Sequence, residues 1–208
     1  MPNYIVKQGT RVLTPREYKA LKTEMNKRHQ LIFDGLLFTG MRVAEFFRFL
    51  NHPEWYVPKR QCVDLPKGAV LKEKAKQAER SVILSSWGAE RMEQIVDAAK
   101  RGEVRPLSKM AWYLAVKRAG KKCLEKGTIP VEVSMEVDLD TLRPSCTRKT
   151  WTSWLVASYP DYISLVAHSN GHTSDIMLEH YLNPSFAEDD LAMIPMYTDG
   201  WNRMQARR

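Results

Sequence analysis

The chain has 208 residues and a formal net charge of +8, from 32 Lys and Arg against 24 Asp and Glu. Its 44% apolar content is ordinary for a folded domain, which excludes disorder as the default and allows a sizeable core. Cys62, Cys123 and Cys146 form no CxxC pair and are odd in number, and no apolar run reaches the length of a bilayer span, which argues against a disulfide framework, a zinc site and a membrane protein. The N-terminus lacks the apolar stretch of a secretory signal, so a cytoplasmic protein is expected. The positive balance favours a polyanionic partner, nucleic acid first.

Residues 1–13 read as a short extended arm. Thr14-Pro15-Arg16-Glu17 is a helix start, with a Thr N-cap, Pro at the first position and Glu at the third. The helix is predicted over residues 15–28, and its Lys19, Lys22, Lys27 and Arg28 form a face that is either solvated or turned to nucleic acid. Residues 29–38, HQLIFDGLLF, predict a buried helix that Thr39-Gly40 breaks. Thr39 is expected to cap the next helix, which holds Arg42, Glu45 and the apolar Val43, Phe46, Phe47 and Leu50. Arg42 would fall in the first turn, where the positive end of the helix dipole disfavours a cation. Binding an anion together with the helix N-terminus would account for it, as would pairing with a nearby carboxylate.

Residues 51–85 change character. Trp55-Tyr56-Val57-Pro58 and Cys62-Val63-Asp64-Leu65 are β-type runs, Pro66-Lys67-Gly68 is a turn, Ala69-Val70-Leu71 begins a strand and Ser81-Val82-Ile83-Leu84 makes another. Residues 72–80, KEKAKQAER, read as a charged hairpin tip, solvated or reaching across a groove. A small antiparallel sheet of three short strands is predicted. Helical spacing resumes at Ser86, with Met92, Ile95, Val96 and Ala99 on the apolar side. Another helix is predicted over 107–125, strongly basic through Lys117, Arg118, Lys121 and Lys122. Residues 126–144 read as irregular, with an acidic patch of Glu132, Glu136, Asp138 and Asp140.

Pro144 and Ser145 open a helix predicted to run to about residue 157, with Trp151, Trp154 and Leu155 on its buried stripe and Arg148 off it. A helix over 161–167 follows. Ser169-Asn170-Gly171 then breaks the pattern, His172 comes directly after, and a last helix passes through Met177, Leu178 and Tyr181. Nine residues of straight helix would hold His172 and Tyr181 about 13.5 Å apart on opposite faces, so they meet at one phosphate only if the chain folds back at the break. His168 and His172 have the i,i+4 spacing that zinc sites use, but Asn-Gly interrupts the helix such a site needs. Arginine pairs suit a phosphodiester whose charge spreads in the transition state. A phenol of pKa about 10 needs nearby positive charge or a base to act as a nucleophile at neutral pH.

Thr39-Gly40-Met41-Arg42-Val43-Ala44-Glu45 resembles the Thr-Gly-x-Arg-x-x-Glu box of the tyrosine recombinases, the family of phage and archaeal-virus integrases and Xer-type resolvases. Arg148-Lys149-Thr150-Trp151 is similar to their second Arg box. Gly171-His172 followed by Tyr181 matches their Gly-His…Tyr spacing. Glu79-Arg80-Ser81-Val82-Ile83-Leu84 is similar to the end of the β-hairpin that carries their catalytic lysine. The resemblance runs in order through residues 12–182, and Leu142-Arg143-Pro144 with Arg148-Lys149 looks more like archaeal integrases than bacterial Xer proteins.

That resemblance implies an α+β fold, a mostly helical DNA breaking-rejoining catalytic domain with a small three-stranded antiparallel sheet, over residues 1–182. It lacks the family's N-terminal core-binding domain, so a minimal recombinase or the catalytic domain of a longer chain is expected. Residues 183–208 form a tail, with capping-box spacing at Ser185 and Glu188, that docks in cis or onto a neighbouring protomer. The implied activity is site-specific recombination through a covalent 3′-phosphotyrosine, with no metal, nucleotide or other cofactor. Tyr181 would be the nucleophile, Arg42 and Arg148 would clamp the scissile phosphate, His172 would donate a hydrogen bond to it, and Glu45 would brace the arginines. Lys74, ahead of Lys76, would protonate the leaving 5′ oxygen. Ser145 stands where the family usually has His, three residues before the second arginine, and serine is not a comparable base. The implied partner is double-stranded DNA, contacted also by Lys72, Lys117, Arg118, Lys121 and Lys149 of a homodimer or homotetramer. A catalytically inactive DNA-binding accessory protein of the same fold, or a type IB topoisomerase, would share these features.

Overall fold

Residues 5–12 fold back on themselves where an extended arm is predicted. β1, Ile5–Lys7, pairs antiparallel with β2, Thr10–Val12, in the register Ile5↔Val12. Gln8 and Gly9 turn the corner with φ of +50° and +63°, the left-handed pair whose twist matches that of the flanking strands. The computed structural model describes residues 5–67, 69, 79–171 and 186–202.

The capping box forms as its sequence predicts, and α1 spans Pro15–Thr23. It ends earlier than expected because Asn26 accepts from the His29 N–H and starts a second helix, α2, Lys27–Thr39. Gly40, at φ +59°, closes α2 in the left-handed conformation. Thr39 does not cap the following helix. It is the last residue of α2, and its hydroxyl donates to Gly35 O at 2.6 Å. The N-cap of α3, Val43–Phe49, is Arg42, and the Glu45 carboxylate accepts its backbone N–H.

β3, Tyr56–Val57, β4, Cys62–Leu65, and β5, Arg80–Ile83, form an antiparallel sheet in that order, with Tyr56↔Val63 and Leu65↔Arg80 as partners. Ala69 lies outside these strands, and Val70 and Leu71 lie outside the described residues. Arg80 is the first residue of a buried strand, not part of the hairpin tip.

Four helices follow: α4, Ser86–Lys100; α5, Lys109–Glu125; α6, Met135–Thr141; and α7, Cys146–Ser158. α6 falls in a stretch predicted to be irregular. Ser134 starts it by accepting from the Val137 N–H, and Glu136 and Asp138 suit its positive first turn. α8, Ile163–Asn170, extends through Ser169 and Asn170, where a break is predicted, and Gly171 at φ +64° ends it.

α2 packs against both α4 and α7, and β2 lies along α7. Thr150 in α7 accepts the Leu13 N–H at 2.8 Å, and Trp154 Nε1 donates to Leu13 O at 3.0 Å. The tail docks on the same chain through α9, Glu188–Met193, and α10, Pro195–Thr198. The Tyr197 ring stacks on Phe38 and Trp154 at 5.8 and 5.2 Å, and fully buried Trp201 donates from Nε1 to Ile83 O at 3.1 Å. Aromatic side chains dominate the energy of a core because each buries so much area. The tail therefore belongs to the core. Among the described residues no helix is long and apolar enough to cross a membrane.

Candidate functional site

Glu45 is fully buried at the start of α3, next to the core residue Phe46. A carboxylate taken out of water has to be paired and hydrogen-bonded. Glu45 is gripped from two sides. Arg42 donates to it twice at 2.8 Å, through its backbone N–H to Oε2 and through Nη1 to Oε1. Arg80 donates through Nη2 at 2.8 Å and Nη1 at 3.2 Å. Burial alone would raise the Glu45 pKa. The charge of Arg80, the Arg42 N–H and the field of Arg148 outweigh it and hold the carboxyl below its ordinary value.

Arg80 has a third tie. Its Nε donates to Ser169 O at 3.1 Å, so strand β5 is fixed both to the head of α3 and to the end of α8. The Ser169 hydroxyl accepts the Ile83 N–H at 3.0 Å and secures the same junction. Burial lowers the pKa of Arg80, and the adjacent Glu45 opposes that shift.

Arg148 is predicted to lie off the buried stripe of α7, yet it is only 7% exposed. Its neighbours Thr147, Thr150, Thr152 and Ser153 are buried as well, because α7 is covered on nearly all sides. Arg148 Nη1 donates to Gly40 O at 2.6 Å, and Nη2 donates to Asn170 O. It thereby joins the end of α2 to the end of α8. Gly40 makes the approach possible, because a Cβ there would sit 2.6 Å from Asn170 Oδ1 and 2.8 Å from Trp151 Cδ1.

Arg42, Glu45, Arg80 and Arg148 therefore form one constellation. Among the described residues, two guanidiniums grip one carboxylate and a third, Arg148, acts on it through its field. Glu45 and Arg80 have side chains 0% and 4% exposed, whereas Arg42 is 43% exposed and gives the cluster its open face. Fixed guanidiniums beneath an open one suit an anion with oxygens on several sides.

The structure brings together three of the residues predicted from sequence, Arg42, Glu45 and Arg148. His172, Tyr181, Lys72, Lys74 and Lys76 lie outside the described residues. Ser145 is exposed at the head of α7. With Lys109, Met110, Tyr113 and Arg143 it lines a cleft of about 600 Å³, and its hydroxyl bonds to neither arginine. Of the lysines and arginines predicted to contact DNA, Lys117 pairs with Asp140 and sits 5.2 Å from the Tyr113 ring centroid. Arg118 and Lys121 line a separate cleft with His29, and Lys121 lies 3.8 Å from Glu125. Lys149 donates to Lys7 O and Gln8 Oε1.

Arg80 is the site residue that the sequence did not single out. The available signal was Glu45, a carboxylate embedded in an apolar helix face that needed more cations than Arg42 alone. Comparison with protein-family models, with curated proteins and with solved structures finds no match to this chain.

Proposed function

We propose that this chain cuts and rejoins double-stranded DNA through a covalent 3′-phosphotyrosine, as a site-specific recombinase with Tyr181 as nucleophile. One observation carries the reading. The two arginines of the predicted boxes share one anchor: Arg148 bonds to Gly40 O, 108 positions away, and Gly40 leads directly into Arg42 and Glu45. The anchor also takes in Asn170, the last residue of α8, two positions before His172.

In this mechanism the scissile phosphate docks against Arg42 and Arg148. Glu45 and the carbonyl oxygens hold the guanidiniums in place beforehand, so little reorganisation is needed as charge develops on phosphorus. Tyr181 Oη attacks phosphorus, the bond to the 5′ oxygen breaks, and Lys74 or Lys76 delivers a proton to that oxygen. The phenolic proton passes to water, and the surrounding positive charge favours the phenolate. His172 donates a hydrogen bond to a non-bridging oxygen. The products are a 3′-phosphotyrosine and a free 5′ hydroxyl, and a 5′ hydroxyl from a second strand reverses the step. A dimer or tetramer on DNA would supply that strand. The chemistry calls for no metal or nucleotide.

The test is a duplex carrying a nick near the cleavage site, which traps the intermediate. The wild-type chain is expected to form a covalent adduct, and Tyr181→Phe to form none. An equal adduct in that variant would overturn the assignment. One observation favours a second reading. Ser145, where a base would be expected, is exposed and not bonded to the arginines. A DNA-binding accessory protein would bind with strong salt dependence and give no adduct from either chain.

A further inference from the structure

A second cluster of positive charge lies around the β1–β2 turn, and the constellation around Glu45 does not use it. Lys149, which directly follows Arg148 in α7, donates from Nζ to Lys7 O at 2.7 Å and to Gln8 Oε1 at 3.0 Å. The Arg143 guanidinium lies over Gly9 so closely that a Cβ on Gly9 would sit 3.3 Å from Nη2 and 3.5 Å from Cζ. Lys7, Arg143 and Lys149 therefore converge on one two-residue turn. Gln8 and Arg143 are exposed, and Lys7 and Lys149 are half-buried.

The three cations repel one another. Burial first, then the charges of Arg143 and Lys7, depress the Lys149 pKa, and burial depresses that of Lys7. Among the described residues, no carboxylate lies within ion-pair distance of Arg143 or Lys149. Asp140, whose carboxylate also feels Arg143, is held by Lys117. A hairpin needs only one lysine to be tacked onto a helix. Arg143 and Lys149, gathered at its tip with no carboxylate in ion-pair reach among the described residues, require another explanation.

We propose that the β1–β2 turn with Arg143 and Lys149 is a phosphate-backbone clamp for duplex DNA, separate from the site that holds the scissile phosphate. The inference deepens the proposed function, because a duplex seated on Arg42 and Arg148 runs on past the neighbouring Lys149. Adjacent residues of a helix diverge by about 100°, so Lys149 meets a different phosphate from the one Arg148 serves. Contacts of this kind set register and orientation on the duplex and carry no base information.

Gln8→Glu separates this role from a purely structural one. The variant keeps the acceptor for Lys149 and adds a negative charge to the exposed tip, so hairpin and fold are retained or strengthened. Binding to a mixed-sequence duplex is measured over a range of salt, with thermal melting alongside. The expected result is an unchanged or raised melting temperature, affinity several-fold weaker at low salt, and a log–log salt slope shallower by about 0.9, one phosphate contact. Arg143→Gln is expected to lower the slope by a similar amount. Unchanged affinity and slope in both variants would overturn the clamp, as would failure of the wild-type chain to bind duplex DNA. The adduct assay reports separately on the proposed function. If no adduct forms while Gln8→Glu still weakens binding, the clamp stands and the cleavage reading falls.

Discussion

Arg80→Met tests the arrangement around Glu45 directly. Methionine keeps much of the arginine stem and removes the charge, both bonds to Glu45 and the bond to Ser169 O. Glu45 stays fully buried, with Arg42 as its remaining direct partner among the bonds described above. Breaking a buried ion pair from one side costs about 3–5 kcal/mol, because the other charge is stranded. For a chain of this size, about 2–4 °C per kcal/mol converts that to a drop in melting temperature of roughly 6–20 °C.

The pH dependence has a definite sign. In the wild-type chain Glu45 is held below its ordinary value, so its contribution to stability is present above about pH 4.3, the unfolded value, and is lost as pH falls through the lower folded value. In Arg80→Met the burial contribution is no longer outweighed by Arg80, and the folded pKa rises. The deficit of the variant therefore grows with pH, smallest below the wild-type folded value and largest above the variant's raised one. Urea unfolding at pH 4.5 and pH 7.5 reads it directly. The double variant Glu45→Gln/Arg80→Met removes both charges and should recover part of the loss, giving a coupling energy of about 1–3 kcal/mol. A loss within about 0.5 kcal/mol at pH 7.5, or additive single and double variants, would refute the pairing.

Three further substitutions follow from the packing, each read by thermal or urea unfolding at pH 7. Gly40→Ala places a Cβ against Asn170 and Trp151 at a left-handed residue, and should cost about 1–2 kcal/mol for the backbone and a further 1–3 for overpacking. Thr150→Val strands the Leu13 N–H and should cost about 1–3 kcal/mol. Trp201→Ala removes a fully buried ring and its bond to Ile83 O, and should cost about 3–5 kcal/mol; a near-neutral result would contradict the tail's place in the core.

Elements with a local signal were legible in the sequence. The capping box fixed the head of α1, and short β-type runs marked β4 and β5. The box arginines and Glu45 were legible as well, because their spacing resembles a known pattern. What escaped was set by tertiary context. Arg80 ends a run of charges that reads as a solvated tip, and only its pairing with Leu65 and the need of Glu45 turn it inward. Arg148 lies off the Trp151–Trp154 stripe, but α7 is covered on nearly all sides, so leaving the stripe does not bring a side chain to the surface. α6 exposes Met135 and Val137, so it lacks the amphipathic pattern that reveals a helix. Thr39 has the chemistry of a cap, yet its hydroxyl donates back into α2, and the following Gly40 ends that helix.

The sequence separations of the tethers bear on when the arginine constellation can exist. Arg148 reaches back 108 residues to Gly40, Leu13 pairs with a residue 137 positions on, and Trp201 returns over 118 to Ile83. Ordering such closures requires most of the chain to be in place first, which makes them late events in folding. A nascent polypeptide that ended before α7 would lack one guanidinium altogether, and one that ended before Asn170 would lack the carbonyl that orients it. Under the proposed chemistry, competence to break a DNA strand would then arise only as the fold closes, and incomplete chains would not have it.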